Sequence, residues 1–165
     1  MGGGRRLRAI LFGAALAACA PWAAAEPYEA DPDLATRDED YAAGKKAADA
    51  KDWTEAVRRF ELAARRHPDH ADLHNILAFS YRNLGRYEPA FAHYRRALEL
   101  DPRHRGAHEY LGETYLLTGD LAGAERHLAA LKEVCLLPCD ELGLLERAIA
   151  LHKQKHTSKT TRKIP

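Results

Sequence analysis

From about residue 38 onward, apolar side chains recur every three or four positions, the spacing of a helix that buries one face. Polar turn residues interrupt the pattern at regular intervals. The pattern predicts helices at about 38–50, 53–66, 71–84, 87–100, 105–118 and 121–134. A seventh, at about 139–155, places Leu142, Leu145 and Ile149 on one face and begins with Asp140 and Glu141, suitably charged for a helix start. Helical periodicity runs through the whole of this stretch, so the fold class expected is all-α.

A longer period organises these helices. Pro68 and Pro102 lie 34 residues apart, and a shift by that length superposes Ala56, Ala90 and Ala124, then Phe60, Tyr94 and Leu128, then Trp53, Tyr87 and Leu121. Gly44, Ala78 and Gly112 coincide, as do Tyr81 with Tyr115, Leu77 with Leu111, and Gly85 with Gly119. Small columns let two helices approach closely, and large columns fill the space between them. Gly85 and Gly119 stand where a helix end needs positive φ. Asp52 and Glu55 have the spacing of a capping box, Pro89 falls in a first turn whose N–H groups lack helical partners, and Pro68 and Pro102 stop the second helices.

These residues resemble the tetratricopeptide repeat family over 37–136. The second copy carries the pattern best: Leu77, Ala78, Tyr81, Gly85, Tyr87, Ala90, Tyr94, Ala97 and Pro102 all stand where the family places them. Lys51 replaces a turn glycine in the first copy, and Leu136 replaces the closing proline in the third. The resemblance implies a right-handed superhelix of three helix-turn-helix repeats (37–70, 71–104, 105–136) plus a C-terminal capping helix (137–155). The cap covers the last repeat's apolar side. It also implies a concave groove, lined by first helices, that takes extended segments or helices of other proteins.

On that expectation the inner face carries Tyr41 and Lys45, then Asn75, Phe79 and Arg82, then Glu109, Glu113 and Leu116. Aromatic and Arg side chains commonly anchor binding energy, which favours Tyr41, Phe79 and Arg82. One subtype of the family grips a C-terminal carboxylate; the matching positions here are Tyr41, Lys45, Ile76, Gly106 and Tyr110, of which only Lys45 brings a charged donor. An internal, basic segment suits this chain better than an anionic chain end.

Composition adds an address. Arg5, Arg6 and Arg8 precede an apolar run from residue 9 to 20, followed by Ala23, Ala24 and Ala25, as in a secretory signal (1–25) with a linker (26–36) after it. The run is too short to span a bilayer as a helix, and no transmembrane segment is expected. The stretch Leu16-Ala17-Ala18-Cys19 also resembles a lipobox, which would make Cys19 a lipidated N-terminus; both readings stay open. A periplasmic or secreted protein is expected in the first case and an outer-membrane lipoprotein in the second.

The whole chain has 25 Lys and Arg against 24 Asp and Glu. Removing Arg5, Arg6 and Arg8 leaves 22 bases. From residue 152 onward there are Lys153, Lys155, Lys159, Arg162 and Lys163 and no acid, so an acidic body carries a basic tail, read as disordered over 156–165. No charge field points to nucleic acid.

Export also favours a disulfide between Cys135 and Cys139, because Leu136-Leu137-Pro138 breaks the helix that would hold them apart. The pairs His70 with His74 and His104 with His108 are spaced for one helical face and suit Zn or Cu, so a thiol- or metal-handling accessory protein is a second reading. Their place in a polar turn, without a third ligand at diagnostic spacing, favours no metal and no cofactor. Only Ser80 and Ser158 are serines, and neither a nucleophile elbow nor a phosphate-cradling glycine loop is present; no enzymatic activity is expected.

Overall fold

The computed structural model describes residues 34–161. Eight helices follow in order among them: α1 Leu34–Arg37, α2 Glu39–Asp49, α3 Trp53–Arg66, α4 Ala71–Asn83, α5 Tyr87–Leu100, α6 Arg105–Leu117, α7 Leu121–Val134 and α8 Asp140–Thr161. The expected signal, Cys19 and the end of the basic tail lie outside the described residues. Successive helices pair as hairpins, α2 with α3, α4 with α5 and α6 with α7, and each hairpin packs on the next. No described helix is long and apolar enough to cross a membrane.

Local chemistry sets the helix ends. Asp38, Asp52 and Asp120 accept N–H bonds from Tyr41, Glu55 and Gly123 at 2.9, 3.1 and 2.8 Å, each satisfying a donor that a first turn leaves free. The reciprocal half of the Asp52 box is absent, because the Glu55 carboxylate turns to Arg58 and Arg59 instead. The Asp52 N–H bonds the Ala47 carbonyl. Gly85 and Gly119 end α4 and α6 at φ +71° and +85°. Lys51 holds the same left-handed conformation with a side chain, at φ +59°.

The small columns make the close crossings. A Cβ built on Gly44 would lie 2.7 Å from two ring carbons of Phe60, and one on Gly112 would lie 2.7 Å from a methyl of Leu145. Ala56, Ala78, Ala90 and Ala124 are fully buried. Between them Phe60, Leu73, Leu77, Tyr94 and Leu111 fill one continuous core. A second core joins Ala124 and Leu131 of α7 to Leu145 and Ile149 of α8, which lies against both α6 and α7 as a cap.

Two stretches differ from expectation. Part of the expected linker is the helical turn α1, whose Leu34 is 3% exposed and belongs to the first core. The expected disordered tail is helical as far as Thr161. No Gly or Pro falls between residues 144 and 164, so nothing in the sequence stops a helix already nucleated on the packed half of α8. Between α7 and α8, the Sγ atoms of Cys135 and Cys139 lie 2.06 Å apart and their Cα atoms 6.0 Å apart. The intervening Leu136 and Leu137 face solvent.

Candidate functional site

Residues of the first helices α2, α4 and α6 line a groove. Its main hollow, about 480 Å³, brings together four of the expected residues, Tyr41, Lys45, Asn75 and Phe79. Trp53, Ile76 and Tyr110 complete its apolar wall. Trp53 meets Phe79 edge-on at 5.6 Å between ring centroids, and Phe79 meets Tyr110 at 4.9 Å, the tilted geometries that aromatic quadrupoles favour. The buried Oδ1 of Asn75 in this wall has no hydrogen-bond partner. An acceptor shielded in this way is costly until a donor reaches it.

Arg82 occupies the seam between two repeats. Its guanidinium sits 5.0 Å from the Phe79 ring centre and 5.4 Å from that of Tyr110, and its Nη1 donates to Glu113 at 2.5 Å. The charge of Arg82 is therefore already matched. Arg82, Glu113 and Leu116 border a second depression of about 430 Å³, whose far side is Ala148 of α8. Glu109 is placed differently from the rest: it is 5% exposed, and burial together with Glu113 and Glu141 pushes its carboxyl up to about 7. The capping helix closes the column that Tyr41 and Asn75 begin.

Trp53, Ile76 and Tyr110 also line the hollow; the sequence places Trp53 in a packing column and Ile76 and Tyr110 at the positions that match the carboxylate-gripping subtype, not among the expected anchors. The period contained the signal for two of them, since Tyr110 stands one period after Ile76 on the same helical face. Trp53 belongs to a packing column, yet as the first residue of α3 it reaches the groove edge.

The histidines pair across helices instead of along them. His70 and His104 cap α4 and α6, accepting the N–H of Leu73 at 3.2 Å and of Ala107 at 3.3 Å. His74 instead meets His93, and His108 meets His127, each with Nδ1 atoms 3.0 Å apart. Among the described residues no group of three or more His, Cys, Asp or Glu is placed to hold a metal ion.

An ion-pair cluster closes the open end of the stack. Arg66 bonds both oxygens of Asp38 at 2.8 and 2.9 Å and reaches Asp40 at 2.7 Å, while Arg59 holds the other oxygen of Asp40 at 2.8 Å. The Arg66 guanidinium holds the Asp38 carboxyl well below the usual carboxylate range. This cluster ties α2 to α3 and contributes no groove surface.

Comparison with known proteins agrees with this geometry. Residues 71–104 match the tetratricopeptide repeat family model. No curated protein sequence matches the chain. Among solved structures, the chain is similar to the TPR2B domain of yeast Sti1 in its pHsp70 complex, at 21% identity over 71% of this chain and 95% of that one, with a TM-score of 0.65. It is similar to the Sgt2 TPR domain of Aspergillus fumigatus at 20% identity, over 79% and 84% of the two chains, TM-score 0.65. PcrH, solved with the chaperone-binding region of PopD, aligns at 24% identity over 75% and 93%, TM-score 0.63. Residues 71–104, supplied by α4 and α5, match a tetratricopeptide repeat, and the stacked hairpins on either side share the fold of those structures.

Proposed function

We propose that this chain is a non-enzymatic scaffold of the bacterial cell envelope that holds an extended segment of another protein in its concave groove. The observation that carries this reading is the aromatic hollow around Phe79, with the unpaired Asn75 acceptor in its wall. A backbone N–H of a bound strand would satisfy that acceptor, and Trp53, Phe79 and Tyr110 would seat an apolar side chain. Asp49 and Asp72 border the hollow with Lys45, and Asp72 is already paired with His104 at 3.1 Å, so Asp49 supports a segment carrying a basic residue at that edge. Sti1, solved in a pHsp70 complex, and PcrH, solved with the chaperone-binding region of PopD, lend support at the level of fold.

Export belongs to the same reading. It rests on the first 25 residues and on the nearness of Cys135 to Cys139, a bond that an oxidising compartment would preserve. Intact mass of the mature protein distinguishes cleavage before Glu26 from lipidation of Cys19. Thiol titration with and without reductant tests the bond.

The groove is tested with a photocrosslinking residue at position 79 in envelope extracts. A captured protein should rebind the purified chain, and Phe79→Ala should weaken that binding about tenfold. Equal binding by the variant would overturn the assignment of the groove.

A further inference from the structure

The capping helix α8 is apolar on two sides. One side, carrying Leu145 and Ile149, is buried against α6 and α7. The other is left in water: Leu144 is 41% and Leu151 55% exposed, one a helical turn before Ala148 and the other a turn after it. Ala148 borders the depression at the end of the groove together with Leu116 and Leu117 of α6, and Leu117 is itself 58% exposed. Leucines exposed singly are ordinary, but a strip that joins Leu117, Leu144, Ala148 and Leu151 marks a surface for another element.

The order of residues along the strip identifies that element. Asp140, Leu144, Leu151 and Lys155 are all exposed and share one face of α8 by their spacing. They are also symmetric about a single point, between residues 147 and 148: Asp140 stands as far before it as Lys155 after it, and Leu144 as far before it as Leu151 after it. A second α8 laid antiparallel across that point therefore sets each Asp140 against a Lys155 and each Leu144 against a Leu151. The small Ala148 beside the axis lets the two helices approach closely.

We propose that this strip is a dimer interface, in which α8 pairs antiparallel with α8 of a second copy of the chain, Leu144 against Leu151 and Asp140 against Lys155. A two-fold contact requires a surface that complements itself, and the charges of α8 are divided accordingly. Its acids, Asp140, Glu141 and Glu146, lie in the first half and its lysines, Lys153, Lys155 and Lys159, in the second. Antiparallel pairing matches these halves, whereas parallel pairing would set like charges side by side. Glu141 lies 3.9 Å from Arg105 and Lys153 lies 2.7 Å from Glu125 within the chain, so the cross-copy ion pair is assigned to Asp140 and Lys155, which share the face of the leucines. The aromatic hollow around Phe79 is lined by residues ahead of α8, and the dimer does not rest on what that hollow binds.

The experiment is sedimentation equilibrium of the purified chain at concentrations up to about 0.2 mM, since a contact made by one helix face is small. The expected result is a reversible dimer. The variant carrying Leu144→Asp and Leu151→Asp should dissociate it by more than about a hundredfold. Asp140→Lys and Lys155→Asp should each weaken it about three- to tenfold at low salt, and the two together should restore it. That rescue keeps the test decisive even if the leucine variant folds poorly. A dimer indifferent to the leucine substitutions, or a charge exchange without rescue, would overturn the proposal. So would a chain that stays monomeric while a photocrosslinker at position 151 captures a different protein, which would assign the strip to a foreign partner.

Discussion

The ring of Phe60 lies flat against the backbone of Gly44, so close that a single added carbon would fall 2.7 Å from two of its atoms. Leu145 repeats the relationship at Gly112, two periods along the column, where the repeat meets its cap. In a helix interior a glycine costs about 1 kcal/mol relative to alanine. Its presence is explained by the aromatic or branched side chain that it admits.

Gly44→Ala therefore sets two effects against each other, the gain in helix propensity and a clash with a ring that is fully buried and cannot retreat. Gly44→Val removes most of the gain and enlarges the clash. Its expected cost is about 1–3 kcal/mol by urea unfolding. Gly143→Ala is the contrast: only the flexible end of Arg147 comes near, and a gain of about 0.5–1 kcal/mol is expected.

Ala90 is fully buried at the crossing of α5 with α4, and Ala90→Trp should destabilise the protein by about 1–3 kcal/mol or more. An unchanged melting curve would count against the helix register described above.

Lys51 holds φ +59° at the turn between α2 and α3, where the equivalent turns use glycine. Lys51→Gly relieves a strain of about 1 kcal/mol and should raise the melting temperature, opposite to the usual effect of introducing glycine.

Asp38 caps α2 and takes both arms of Arg66, so Asp38→Ala should cost about 1–3 kcal/mol. Its carboxyl is lowered by Arg66 in the fold, which means that the stabilisation is complete above the ordinary value of 3.8 and disappears as the pH falls below it. The variant's deficit should shrink in acid.

Glu109 works with the opposite sign. Burial first, then Glu113 and Glu141, raise it to about 7, so its contribution is complete below the ordinary value of 4.5 and is lost as the pH rises through 7. Glu109→Gln should stabilise the chain at pH 8 relative to the parent and lose that advantage at pH 5, as read from paired unfolding curves.

The helices that repeat were legible in the sequence because period and punctuation coincide: α3, α5 and α7 begin and end where the apolar pattern and its turn residues place them. α1 was not, since one turn with one buried leucine has no periodicity to detect. Of the groove, the Phe79 and Arg82 positions follow from the family resemblance, which says which face of the first helices lines the concave side. The burial of Glu109 depends on where α8 packs, a tertiary contact with no local signature. For the histidines, residue spacing suggested i, i+4 pairs; the observed partners are 19 residues apart and form only when each hairpin closes.

Amide chemical-shift mapping of the labelled chain with its captured partner segment tests the central claim most directly. The account predicts shifts concentrated at Tyr41, Asn75, Phe79, Arg82 and Tyr110. Shifts confined to the outer helices, around Ala92, Arg95 and Glu125, would contradict it.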